Sequence, residues 1–580
     1  MILHSLRRRP GSWPSTSVAI AFILASMPAS AVFAQRDASD IPVVTKTIAI
    51  EGVRIVQSPG RVIENGTVLI RNGLIEAVGE NVDIPYDAER IAPDSMTVYA
   101  GFIDGLSSAG VRKPKEEENL PPVPDRSNPP DDRAGIQPQR DVRSMLSADH
   151  KSVEDLRKLG FGAAHVVPEG RMLPGSGAVV LLAGNEPRDM VLKGDASLFV
   201  QFQGARGMYP GTPMAMTAKF RQLFKEAKRR QQMERLFDDG ASGVPRPEFD
   251  EVHYAFFSVI DREKPVFFYV DDALEIHRAL KLQSVLGFDL TLAGLHEGFN
   301  AINTLANAGT PLFVTLDLPS KPKWMSKLKR DSLDTILAAY DDETRTATFR
   351  DVEAERRNLE ARQVMSRDEY ASVAAKLEAA GVSFGFMTRG TKTKDIKKNL
   401  REMMDRGLTE DAALAALTTH AAAILGLSGS LGSVDVGKIA NLIVADGPLF
   451  DINTKYEYVF VDGKKFFYEK SERQREADDD ALVGTWIFTA FTTDGEQSGD
   501  VVFEKEGESY SGTMAYQELD LTITLKDISL DGNDLSFSWD DPNSGTMTVE
   551  GRISGDEFEG SLIIGGEEVT VIGVKEDSPE

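Results

Sequence analysis

The sequence predicts an α/β protein: a (β/α)8, TIM-like barrel, a small β-sandwich built from both of its flanks, and a C-terminal all-β barrel. Three observations predict it. Apolar strand-like runs alternate with helical patterns between residues 97 and 429, which implies βα units around a parallel sheet. Turn-rich β segments at 42–96 and 430–469 bracket that stretch. Residues 481–580 carry 22 acidic and 4 basic side chains, a net of −18, and the other 480 residues carry only −7 of the total −25. A step that sharp marks a separate domain.

The chain opens with Arg7, Arg8 and Arg9, an apolar run from Val18 to Met27, and small residues up to Ala34. A basic start, a short apolar middle and a small-residue end make residues 1–34 an expected secretory signal peptide. The run is shorter than the roughly 20 residues a membrane span needs. The expected location is periplasmic or secreted, with no membrane span. Cysteine is absent, which excludes disulfides, thiolate metal sites and thiol nucleophiles. A charge of −25 argues against nucleic acid, whose phosphates need clustered Lys and Arg.

Within 42–96, Val53–Val56, Thr67–Arg71 and Ile75–Val78 are short β-rich runs split by Pro59-Gly60, Asn65-Gly66 and Asn72-Gly73, which are hairpin signals. Residues 430–469 repeat the texture at Ile439–Ala445, Tyr456–Val461 and Lys465–Tyr468. Barrel strands are expected at Thr97–Ile103, Ala163–Val167, Pro265–Val270, Leu290–Leu295, Pro311–Leu316 and Val382–Met387. Residues 273–287 read as a helix with Ile276, Ala279, Leu280 and Leu286 on one face; 371–380 and 409–427 read similarly. Residues 112–142, rich in proline and charge, read as a long loop. The charged stretches 214–238 and 342–363 read as solvated helices beside the barrel. Residues 470–480 read as a linker. Across 481–577, alternating apolar residues from Trp486 and Phe488 to Val569 and Val571 give an antiparallel barrel or sandwich, and Gly484-Thr485-Trp486 resembles the opening of lipocalin-like barrels.

The segments "VIENGTVLIRNGLIEAVGENVDIPYDAERI", "MTVYAGFIDGLSSAG" and "GSVDVGKIANLIVADGPLFDINTKYEYVFVDGKKFFYE" resemble the amidohydrolase superfamily. The middle of the chain resembles its imidazolonepropionase-like branch. The resemblance implies hydrolysis of non-peptide or cyclic carbon–nitrogen bonds by one or two divalent metals at the C-terminal ends of the barrel strands. The metal would lower the pKa of a bound water and polarise the carbonyl, held by three or four imidazoles or carboxylates.

Residue by residue, the implied ligand positions are not ligands here. The His-x-His after the Gly-Phe-Ile-Asp strand reads Leu106 and Ser108, the strand-6 histidine reads Gly294, and the strand-8 aspartate reads Arg389. A permanently charged guanidinium repels a metal ion. The expectation is therefore a barrel without the family metal centre and with no cofactor, with Arg389 pairing with Asp104 or Asp271. Asp104, Asp271, His296 and Arg389 are the pocket residues to examine. The other histidines have local readings: His150 at a polar helix start, His277 on a solvated helix face, His165 in a satisfied core position or, alternatively, pointing into the barrel mouth.

Three functions stay open. One is a pseudoenzyme that binds a small molecule or scaffolds a partner such as an active amidohydrolase. The second is an active hydrolase with a relocated or metal-free site; zinc at His296, Asp271 and Asp104 belongs to that reading. The third is an apolar carrier role for the C-terminal barrel, set against a packed accessory domain.

Overall fold

The computed structural model describes residues 47–92, 96–113, 121–319, 347–451, 454–468 and, within the C-terminal domain, 482–492, 495–506, 509–516, 521–531, 534–541, 545–554, 557–564 and 567–575. The expected signal peptide, the linker, and parts of the expected loop at 112–142 and helix at 342–363 lie outside the described residues. Among the described residues, no helix is long and apolar enough to cross a membrane.

Eight strands form the barrel sheet: Phe102–Ser107, Phe161–Val166, Gly175–Leu181, Val191–Gln201, Val266–Val270, Leu290–Gly294, Leu312–Thr315 and Gly385–Met387. The six runs expected from sequence fall on six of these strands, with one adjustment. The first run is cut in two: Thr97–Ala100 joins the flanking sheet and Phe102–Ser107 begins the barrel. The cut falls at Gly101, where a Cβ would sit 3.1 Å from the backbone of Asn441.

The βα alternation fails at one place. Gly175–Leu181 runs antiparallel to both neighbours. Only eight residues separate Val166 from Gly175, and nine separate Leu181 from Val191. Connections that short cannot carry a crossover helix, so the strand returns as a hairpin.

The barrel interior is filled by rings set against glycines. Phe313 lies where a Cβ on Gly105 would come within 1.9 Å and one on Gly385 within 2.4 Å. Phe267 stacks on Phe313 at 6.1 Å and lies 4.3 Å from the His165 ring. Three large rings in one layer need small residues on the facing strands, which those glycines supply.

The strands at the two chain flanks form one eight-stranded sheet. Leu442–Ala445 pairs antiparallel with Thr97–Ala100, which pairs parallel with Thr47–Ser58. Its inward side chains, including Ile50, Ile55, Ile70, Leu442, Val444 and Phe460, make a core separate from the barrel's.

The C-terminal domain is a nine-stranded antiparallel meander, nearly closed. Leu525, which joins the end strands Leu521–Thr524 and Lys526–Asp531, donates its N–H to Gly512 C=O at 2.9 Å. Among the described side chains, the expected inward face from Trp486 through Val571 is buried except for Ile523, which is partly buried; Met514 and Ile553 join it. Phe488 lies 5.1–6.4 Å from the rings of Phe503, Phe537 and Phe558, so aromatic side chains occupy the interior.

Two charged helices flank the barrel. Pro213–Asp238 buries Met216, Phe220, Leu223, Phe224 and Ala227 and exposes most of its cations. In Ala347–Ala371, Arg367 is buried and ion-paired to Glu402. Replacing Arg367 by Met leaves that carboxylate buried with only the partly exposed Arg406, 3.4 Å away, as its partner, and about 3 kcal/mol of stability is expected to go. Urea unfolding checks it: the double variant R367M/E402L should recover most of the loss, and a full additive loss would contradict the pairing argument.

Candidate functional site at the barrel mouth

The first and last barrel strands meet through Asp104. Its carboxylate is fully buried and accepts from Thr388 N–H at 2.9 Å, from the Thr388 hydroxyl, and from Leu106 N–H at 3.3 Å. Burial raises its pKa to about 6, against the opposing pull of these bonds. Asp104 is therefore a brace between strand ends. It belongs neither to Arg389 nor to the His296 cluster.

His165 sits in the same interior. It is fully buried, with Nδ1 3.1 Å from Gly105 C=O and Nε2 2.8 Å from Ser197 Oγ. Burial lowers its pKa to about 4, so it is neutral, and one ring N–H has an acceptor in the Gly105 carbonyl. A Cβ on Gly177 would come within 2.6 Å of both His165 Nε2 and Ser197 Oγ, so the intervening strand gives way to this contact. The expected satisfied core histidine is what the geometry provides.

At the rim, Asp271 and His296 come together as a pair. His296 Nδ1 lies 2.9 Å from Asp271 Oδ1, and Nε2 lies 3.7 Å from Asp317 Oδ2. Burial pushes the imidazole pKa down, but the two carboxylates overcome this and hold it at about 9. At neutral pH the ring is a cation, which has no lone pair for a metal.

The position of His296 follows from the backbone before it. Gly294 has φ 104° and Leu295 has φ 63°. This left-handed turn lets Leu295 N–H donate to Val270 C=O at 2.7 Å and carries the chain away from the strand line. A Cβ at Gly294 would lie 2.5 Å from that same carbonyl oxygen. A side chain cannot occupy this position without moving the fifth strand.

Arg389 was expected to pair with Asp104 or Asp271, and it pairs with neither. Nη2 lies 3.3 Å from Glu169 Oε2, and the guanidinium lies 5.1 Å from the Phe199 ring centre. Its backbone N–H donates to Leu106 C=O at 3.0 Å. Asp104 is committed to Thr388 and Asp271 to His296, so the free carboxylate of the loop after the second strand takes the cation. That loop is tied down by Gln201 Nε2, which donates to Gly170 C=O and Arg171 C=O at 2.7 Å each.

These residues do not fit the metal centre that the resemblance implies. Leu106 is fully buried, Gly294 has no room for a side chain, and a guanidinium stands at position 389. Among the described residues, no three His, Asp or Glu side chains are placed to hold one ion. The three-residue alternative of His296, Asp271 and Asp104 is not assembled, because Asp104 faces Thr388.

Sequence reasoning missed Glu169, Asp317 and Thr388. Asp317 had a readable signal: a carboxylate directly after an apolar parallel strand, where barrel sites gather. Glu169 had none, because it follows a strand whose partner turned out to be reversed.

The sequence model of the amidohydrolase family matches residues 323–466. Among solved structures, an amidohydrolase from Thermotoga maritima MSB8 is similar with a TM-score of 0.57 at 21% identity, over 73% of this chain and 100% of that one. A prolidase complexed with N-methylphosphonate-L-proline is similar at 17% identity and a TM-score of 0.41, over 73% and 100%. A Xaa-Pro dipeptidase with bound methionine in the active site stands at 14% and 0.41, over 73% and 100%. A search of curated proteins finds no match.

The His296 cluster gives a pH prediction. Its folded pKa of about 9 lies above the ordinary histidine value, so its contribution is complete below about pH 6.5 and is lost as pH rises through 9. With Asp271 largely exposed, solvent screening reduces the effect to about 1 kcal/mol. Urea unfolding at pH 6, 8 and 10 should show this decline, and His296→Gln should remove it. A variant whose profile parallels the parent protein's contradicts the assignment.

Proposed function

We propose that this protein is a secreted or periplasmic amidohydrolase-superfamily member without the family metal centre. It acts as a pseudoenzyme that binds a small molecule or scaffolds a partner, an active amidohydrolase being the partner its fold suits. The observation that carries the reading is Arg389. A permanent cation stands at the superfamily's aspartate position, fixed by Glu169 and seated over Phe199, where it opposes any divalent ion. Gly294 adds a backbone reason, since its carbonyl neighbour excludes an imidazole there.

Elemental analysis of the purified protein tests it. No stoichiometric zinc is expected, with no chelator-sensitive turnover across cyclic amides and dipeptides. One or two equivalents of zinc with such turnover would sink the proposal. The triple variant L106H/S108H/R389D is expected to remain without stoichiometric zinc, because the Gly294 turn still withholds a ligand.

A second reading is an active carbon–nitrogen hydrolase with a metal-free site. Asp271, His296 and Asp317 favour it, since a protonated imidazole at the rim is a proton donor in reach of a bound substrate. In that case His296→Gln abolishes turnover while leaving the fold intact.

A further inference from the structure

The helix Pro213–Asp238 divides its charges between two sides. One face is buried in the barrel core, with Phe220 6.1 Å from the ring of Phe268 on a barrel strand. On the solvent side, positions 214, 218, 221, 225, 229, 232 and 236 follow at spacings of three and four, so they form one line along the helix, and all are exposed. Arg221, Lys225 and Arg229 stand in the middle of this line and Lys228, also exposed, beside it. Among the described residues, none of the four has a hydrogen-bond or ion-pair partner. Both ends of the line are apolar: Met214 is 81% exposed and Leu236 50%. The line is about 33 Å long at 1.5 Å per residue. The helix's carboxylates lean the other way, toward the neighbouring turn Glu251–Tyr254. Glu226 lies 3.5 Å from His253 Nε2, and Glu234 bonds the Tyr254 hydroxyl.

A solvated helix face ordinarily interleaves the two signs, because opposite charges four residues apart attract. Here like charges recur at that spacing, 221 to 225 and 225 to 229, which works against the helix. Solubility does not call for the stripe either, in a chain whose net charge is −25. The stripe matches a flat anionic surface with an apolar layer beneath it. Headgroup phosphates accept from the four cations, and Met214 and Leu236 pass between headgroups. Those exposed apolar ends favour a bilayer over an acidic protein as the occupant. The opposing charge is carried largely by residues 481–580, net −18, and charges more than about 8 Å from the surface are screened at physiological salt.

We infer that this helix is a peripheral membrane-docking element. It lies flat on an anionic phospholipid surface through Arg221, Lys225, Lys228 and Arg229, with Met214 and Leu236 entering the interface. The inference does not depend on the absence of metal at the barrel mouth; zinc found there would leave it standing.

Vesicle co-sedimentation tests it. The chain from Gln35 onward is used, the form that removal of the expected signal peptide leaves, so that the basic and apolar residues 1–34 do not themselves bind lipid. Partitioning onto phosphatidylcholine vesicles carrying about one-third phosphatidylglycerol should exceed that onto pure phosphatidylcholine at least about tenfold. Raising NaCl from about 0.1 M to about 0.5 M should remove most of that gain. R221Q/K225Q/K228Q/R229Q should lose about tenfold; glutamine is a good helix former, and thermal melting verifies that the fold is kept. K151Q/K281Q/K392Q/K394Q removes the same charge from exposed positions elsewhere and should lose less than about twofold. Emission from Leu236→Trp should shift to the blue on the anionic vesicles. Equal losses in the two quadruple variants overturn the inference, as does no preference for phosphatidylglycerol, or an unshifted emission from Leu236→Trp. A salt-sensitive dimer in light scattering, lost in R221Q/K225Q/K228Q/R229Q while the parent protein leaves vesicles unbound, would assign the stripe to the acidic C-terminal domain of a second copy and overturn it too.

Discussion

Replacing Asp104 by alanine is expected to remove about 3 kcal/mol of stability. Three donors lose their acceptor at once: Thr388 N–H, the Thr388 hydroxyl and Leu106 N–H. The site is fully buried, so water does not replace the carboxylate cheaply. The seam between the first and last strands should loosen, and Arg389, whose N–H bonds Leu106 C=O, should move with it. Asn is a different matter. The buried carboxyl titrates near 6, so a neutral isostere removes a charge that burial already disfavours. It keeps an acceptor for Thr388 N–H, and its amide can donate to the Thr388 hydroxyl. Its cost is expected at about 1 kcal/mol. Chemical denaturation of both variants separates the cases, and similar losses in Ala and Asn would refute the bracing role.

Gly294→His is the second large effect, and it runs against intuition. Read from the superfamily pattern, this change restores a ligand. Read from the geometry, it puts a Cβ 2.5 Å from Val270 C=O at a φ of 104°, where L side chains are strained. A loss of about 4 kcal/mol is expected, with no zinc gained. Thermal melting and elemental analysis on the same preparation settle it. A stable Gly294→His variant that takes up zinc would show that the turn relaxes, and it would weaken the case against a metal centre.

Much of the architecture was legible. The runs at 265–270, 290–295 and 311–316 are apolar, short and bounded by turn signals, which is what a strand buried on both faces looks like. The inward face of the C-terminal domain was largely readable, because period-two alternation marks one face of a strand. The strands at 175–181 and 191–201 were not read. Gly175-Ser-Gly-Ala-Val-Val-Leu carries no alternation, and nothing in its composition signals a reversed direction.

The site divides in the same way. Sequence placed Asp271 and His296 at neighbouring strand ends, and they do meet. It also paired Arg389 with the wrong acids, since Asp104 and Asp271 were known only as carboxylates on nearby strands. The partner that Asp104 does take, Thr388, was invisible as one until the strands were set side by side.

The sequence by itself determined six of the barrel strands and the identities at the ligand positions that the resemblance implies: Leu106, Ser108, Gly294 and Arg389. These are local properties, written in periodicity and residue type. The tertiary structure alone decided which carboxylate holds which cation, and that Gly294 excludes a side chain. Both depend on distances between strands far apart in the chain, where a shift of an ångström separates an ion pair from a steric clash.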